Sequence, residues 1–306
     1  MPGPIQISLE REPSYFAAGR REGGRHYTIC AREVSSGSVV AMGSRAVHEV
    51  FVNGEPRRVG FLGQLRIAPA HRRFGRFLLQ KGFEFLQRTC ASDESPFDIT
   101  TIVASNAVAR NTLEKALPGF PVFTAIERVM TMLLPVRRHL LRVRAQTDFS
   151  GVAGGNDPRL QFAPVHANPE ARVHGVPGAS VARWDQRTFK QAVVRGYSPL
   201  LRHMRWVSRL PRSGAPVPMA YLTSFRVDDD DARLCSALLD EALAAAKQET
   251  DCRWLTLALP LRHPMTSLVL RRYRPHVYES ILYAVHSRST VVPLDGRMAQ
   301  VEVSLL

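Results

Sequence analysis

The pattern of apolar and polar positions divides the chain into β-type runs and amphipathic helical runs. Ile5 to Leu9 alternates and predicts a first strand. Pro13 opens a short helical piece through about Arg20, which Gly23-Gly24 breaks. His26 to Arg32 and Val39 to Val52 read as strands, the second with an irregularity near Gly43. Asn53-Gly54 between two β-prone runs is a hairpin signal, and Arg58 to Ile67 is the returning strand. A helical pattern follows through about Arg88. Phe74, Leu78 and Phe85 fall near one face, with Leu79 and Leu86 widening the stripe. Asp98 to Ala104 is a β-branched run that, coming after a strand and a crossover helix, is expected parallel to the strand ending at Ile67. Asn106 starts a second helix, striped by Val108, Leu113 and Leu117 and stopped by Pro118-Gly119. Pro121 to Leu134 reads as a pair of strands or one long bent strand.

From Pro135 to about Val181 the pattern dissolves into glycine- and proline-rich stretches around Gly154-Gly155 and Gly175 to Ala179. Trp184 to Tyr197 reads as helical. Then come a strand (Met219 to Val227), an alanine- and leucine-rich helix (Asp231 to Gln248), a strand (Arg253 to Leu259), a short helix (Met265 to Arg272) and a closing strand (Tyr278 to His286). This order repeats that of Arg58 to Leu134, although few residues match. The expected organisation is a first domain over 1–135, a loop-rich linker over 136–180 and a second domain over 181–306.

Composition narrows the function. The 306 residues, 45% of them hydrophobic, can bury two ordinary cores, and no apolar run is long enough to span a membrane. Met1 to Ile5 lacks the basic and apolar regions of a signal peptide. Cys30, Cys90, Cys235 and Cys252 are scattered without metal-ligand spacing, so reduced thiols, a cytoplasmic location and no metal are expected. The formal charge of +14 points to an anionic partner, and lysine occurs only as Lys81, Lys115, Lys190 and Lys247, so the excess is arginine. Without a basic block or an interleaved aromatic ladder, a nucleic-acid platform is disfavoured against a phosphorylated cofactor.

The segment Leu65 to Leu79 is where such a cofactor would bind. A strand, a proline turn and a basic, glycine-containing loop run straight into a helix start, which gathers backbone N–H groups and the positive helix end at one point. Ile67-x-Pro69-x-x-Arg72-x-x-Gly75 resembles the acyl-CoA-binding motif of the GCN5-related N-acetyltransferase (GNAT) superfamily. Asn106-x-x-Ala109, leading into Leu113 and ending at Gly119-Phe120, is similar to that family's second signature. The resemblance covers about residues 5–134.

It implies an α/β fold of two GNAT-like mixed-sheet domains in tandem, each an antiparallel meander with parallel strands splayed at the acyl-CoA site. It also implies transfer of an acetyl group from acetyl-CoA to the amine of a small molecule or peptide. Leu65, Arg66 and Ile67 would pair with the pantetheine, and Arg72, Arg73, Phe74, Gly75, Arg76 and Phe77 would surround the pyrophosphate, with Gly75 admitting close backbone approach. Asn106 would cap its helix or touch the cofactor. Two positions depart from the family pattern. Phe77 stands where glycine or alanine is usual, its ring beside the cofactor path or turned to the core. Leu113 stands where a thiolate-protonating tyrosine is common. Glu49 and His48, before the hairpin, are the candidate general bases.

The second half carries Asp228 to Asp231 where the basic loop would be. These acids satisfy the helix dipole from within, with Asp231 as N-cap, and would repel pyrophosphate. A degenerate domain without cofactor is therefore expected there. Trp184, Trp206 and Tyr221 are packing residues or acceptor-site wall. A non-catalytic acyl-CoA-binding regulator is the alternative function, and a homodimer is left open.

Overall fold

A computed structural model describes residues 5–22, 24–115, 117–136, 157–166, 168–199, 211–248 and 251–305. In its first half β1 (Ile5–Glu10), α1 (Tyr15–Glu22), β2 (Arg25–Arg32), β3 (Val39–Val52) and β4 (Glu55–Ile67) lead into α2 (Gly75–Gln87), β5 (Glu94–Val103), α3 (Ala107–Leu113) and β6 (Val122–Pro135). The second half holds β7 (Arg172–Val176), β8 (Ala179–Trp184), β9 (Gln191–Tyr197), β10 (Met219–Val227), α4 (Ala232–Gln248), β11 (Trp254–Pro260), α5 (Pro264–Tyr273) and β12 (His276–His286).

Ten of these strands form one sheet in the order β2-β3-β4-β5-β12-β6-β11-β10-β8-β7, and β1 pairs with β9 apart from it. β4 runs parallel to β5 and β10 parallel to β11; every other ladder is antiparallel. The order therefore reads alike from either end. The closing strands are exchanged: β12 lies between β5 and β6, and β6 lies between β12 and β11. The two halves thus share a sheet. One apolar cluster joins them, packing Val59, Phe61 and Phe97 with Phe162, Met219 and Tyr221.

Local chemistry explains most elements. Asn53 and Gly54 both take positive φ, +53° and +86°, the type I′ geometry that matches strand twist. The alanine-rich α4 buries Cys235, Leu238, Leu239, Ala242 and Leu243 at helical spacing. By contrast α2 buries only Leu79, while Phe74, Phe77 and Phe85 are 46, 60 and 51% exposed. The stripe expected to seal α2 onto the sheet instead overhangs a groove of about 340 Å³, lined by Ile29, Ala41, Leu65, Ile67, Leu78 and Phe85.

Other expectations are corrected. Trp184 to Tyr197 is not a helix: Trp184 ends β8, a turn follows, and β-branched Val193 and Val194 sit in β9 against β1. Pro121 to Leu134 resolves into the single long strand β6. Within the stretch read as linker, Gly178 (φ +85°) turns a hairpin, β7 to β8, that closes one end of the sheet. The Gly154-Gly155 stretch and Trp206 lie outside the described residues.

Candidate active site

The sheet opens between β4 and β5. Their parallel ladder pairs Arg58, Gly60 and Phe61 with Glu94, Asp98 and Ile99 and ends there, although β4 continues to Ile67 and β5 to Val103. A bulge in β4 produces the divergence. Met42 opposes Arg66 and Ser44 opposes Gly63, so Gln64 and Leu65 face Gly43 alone, and Gln64 takes φ +56°. At the crotch the Thr100 hydroxyl donates to the Leu62 carbonyl, 2.7 Å away.

Beneath the crotch lies a buried ionic cluster. The fully buried Arg45 reaches from β3 across β4, donating from Nε and Nη2 to Asp98 Oδ1 (3.0 and 2.8 Å) and from Nη2 to Glu94 Oε2 (2.6 Å). Gly60 makes the crossing possible, because a Cβ there would stand 2.1 Å from Asp98 Oδ1 and 2.5 Å from Arg45 Nε. Burial alone would lower Arg45; the carboxylates outweigh it and hold the guanidinium above its ordinary range. The ladder is thus pinned by charge one rung before it ends.

The basic turn follows. Pro69–Phe74 form a 3₁₀ turn closed by the Gly75 N–H on the Arg72 carbonyl, and no side chain caps the start of α2. Gly75 is helical (φ −53°, ψ −43°), and a Cβ on it would meet only Ile67 Cδ1 at 3.5 Å. The chain's own fold therefore does not demand glycine at this position, and the Gly75 N–H is used inside the turn. Arg72, Arg73 and Arg76 are exposed and form no ion pair among the described residues, Arg73 lying 4.7 Å over the Phe74 ring. Phe77 is not in the core: it is exposed and lines the groove beneath α2. Arg66 points elsewhere, donating to the Leu9 carbonyl at 3.2 Å.

Asn106 caps α3, its side chain accepting the Ala109 N–H at 3.2 Å. Leu113 is buried with Ile102 and Tyr283. Tyr283, on the exchanged strand β12, is a residue that sequence reasoning missed. Its ring packs beside Leu113, its hydroxyl donates to Glu114, and burial followed by that carboxylate pushes its phenol up to about 12.

Glu49 and His48 are not at the crotch. Glu49 opposes Arg58 in the β3–β4 register, about 13 Å along an extended strand from Leu62. Both line a second cavity of about 570 Å³, where the lower end of β3 meets β8 and β10. There Glu49 lies 3.1 Å from His166 Nε2. The floor is Glu302, whose carboxylate accepts the Ser224 N–H at 2.8 Å. Burial pushes Glu302 up to about 7, only partly offset by that N–H. Sequence reasoning offered no signal for Glu302, which sits in the irregular segment after β12.

Among the described residues no group of three His, Cys, Asp or Glu side chains could hold a metal, and no helix is long and apolar enough to cross a membrane. No protein-family model matches the chain, and no curated protein matches it. Solved structures do. Saccharomyces cerevisiae N-myristoyltransferase with bound myristoyl-CoA is 11% identical with a TM-score of 0.55, the match covering 95% of this chain and 79% of that one. A GCN5-related N-acetyltransferase from Sphaerobacter thermophilus is 11% identical with a TM-score of 0.52, over 88% and 83% of the two chains. At such identities the likeness is one of fold. The chain has a GNAT-like fold.

Proposed function

We propose that the chain is an acyltransferase that moves an acyl group, by default acetyl, from its coenzyme A thioester to an amine. The observation that carries this reading is the divergence of β4 from β5 at the Gln64 bulge, directly before a turn bearing Arg72, Arg73 and Arg76 without carboxylate partners among the described residues. Extended pantetheine amides match the edge of β4 from Leu62 to Ile67, which the β5 ladder leaves open. The pyrophosphate matches the three arginines and the uncapped start of α2.

A neutral amine attacks the thioester carbonyl, whose developing oxyanion is met by a backbone N–H beside the bulge. The C–N bond forms, the C–S bond breaks and the thiolate takes a proton from water. The proton that the amine loses passes to bound water, and Glu49 and His48, about 13 Å from the crotch, stand where they would anchor the acceptor. The acceptor class is a small-molecule or peptide amine.

Leu113 favours a second reading. With a buried leucine where the family often places tyrosine, an acyl-CoA-binding regulator uses the same cradle without transfer. Titration with acetyl-CoA followed by an amine panel separates the two. Binding with release of free coenzyme A and acylated amine supports the enzyme; binding without product supports the regulator. Absence of acetyl-CoA binding overturns both.

A further inference from the structure

The cavity between the halves holds more charge than its packing requires. The cations on its wall are matched locally: Arg21 lies 3.6 Å from Glu170, Arg25 lies 3.0 Å from Glu94 and 2.8 Å from Asp93, and Arg58 also contacts Asp93. Glu49 and His166 pair with each other, and His48 has an interaction of its own. On the other side of Glu302, beside a small adjoining cavity, Asp157 pairs with Arg159 and Arg226 with Asp228. Glu302, buried to 7% exposure, has a backbone N–H as its partner and no cation within ion-pair distance among the described residues.

An uncompensated buried carboxylate is costly, and such groups cluster at sites that bind a ligand. The apolar walls are Val47, Val50, Phe162 and Trp184, and about 570 Å³ is room for a small molecule. Such a site is complementary to an apolar body carrying one positive charge.

We propose that this cavity binds a small organic ammonium ion, its charge matched by Glu302 and its apolar body held against Trp184 and Phe162. The site stands independently of any chemistry; that its ligand is the acyl acceptor, or a part of it, rests on the acyl-transfer reading above.

The test is calorimetric titration of the intact chain with hexylamine, with 1-hexanol as the uncharged isostere, and with acetyl-CoA in the same preparations. Hexylamine is expected to bind at least tenfold more tightly than 1-hexanol. Glu302→Gln keeps an acceptor for the Ser224 N–H and is expected to abolish that preference while leaving 1-hexanol unchanged. In the unsubstituted chain the preference is expected to grow as pH rises from 6 to 8 and the carboxyl ionises. Retention of the pH slope in Glu302→Gln would assign it to His48 or His166 and overturn the proposal. Equal binding of amine and alcohol at pH 8, or no binding of either, also overturns it. Should Glu302→Gln fail to fold, the pH dependence in the unsubstituted chain decides, a flat preference being the contrary result. Amine binding without acetyl-CoA binding would leave this site standing and remove the acyl-transfer reading.

Discussion

The molecule contains the same backbone device twice. In the first half β4 bulges at Gln64 (φ +56°) and leaves β5 after Phe61; in the second, β10 bulges at Ser224 (φ +51°) and leaves β11 after Leu222. The fold supplies the cleft each time, and the residues next to it decide what it can hold. After β4 comes an arginine turn into an uncapped helix. After β10 come Asp228 to Asp230 and then Asp231, whose Oδ1 takes the N–H groups of Arg233 and Leu234 (2.6 and 3.1 Å). An N-terminal donor set already used by carboxylates has nothing left for a phosphate. The second bulge is moreover occupied from within, its Ser224 N–H held by Glu302.

The footing of the two clefts differs as well, and the largest predicted effect probes it. Beneath the first, Gly60 lets Arg45 cross to Asp98; the register equivalent beneath the second is Ala220, in an apolar core. Gly60→Ala is expected to cost about 3–5 kcal/mol by breaking a buried ion pair, read as a lower urea midpoint. Loss under 1 kcal/mol would show that the charge cluster does not anchor the strands beneath the cleft.

Glu302 gives the next effect, with a sign that depends on pH. Its folded-state value, pushed from 4.5 up to about 7, means that its contribution is least unfavourable below about pH 4.5 and that stability is lost as pH rises toward 7. Above that, ionisation costs the folded state about 3 kcal/mol. Glu302→Gln is therefore expected to match the parent near pH 4 and to exceed it by about 3 kcal/mol at pH 8 in urea titrations. Equal stability at both pH values would contradict the burial of an uncompensated charge.

Charge reversal at the first turn comes third. Arg72→Glu with Arg73→Glu is expected to weaken acetyl-CoA binding about 10- to 100-fold, with a shallower salt dependence and an unchanged melting temperature. Asn106→Ala is the smallest, a loss of about 1 kcal/mol in stability from the removed cap. A change in acetyl-CoA affinity beyond that loss would make Asn106 a ligand contact instead of a cap.

Much of this comparison is legible in the chain. Asn53-Gly54 demands its turn, the irregularity expected near Gly43 is the bulge on the opposing strand, and Asp231 caps as its position before α4 predicts. What is not legible is long-range. β6 and β12 read as ordinary strands, and only their pairing partners reveal the exchange between halves. Arg45 and Asp98 are 53 positions apart and meet only because Gly60 between their strands has no side chain. Trp184 to Tyr197 carries glutamine, lysine and arginine among its apolar positions and imitates a helix, whereas pairing with β1 makes its end a strand. Glu302 lies where no period operates, and its meaning comes from the bulge it meets.

The central claim is that one of the two bulged clefts, the first, receives an acyl-CoA. Its most direct measurement is the stoichiometry of acetyl-CoA binding by calorimetry, in the unsubstituted chain, in the Arg72→Glu Arg73→Glu chain and in Glu302→Gln. One equivalent per chain, weakened by the arginine reversal and untouched by Glu302→Gln, is the predicted result. Two equivalents, none, or one that survives the arginine reversal at full affinity would contradict it.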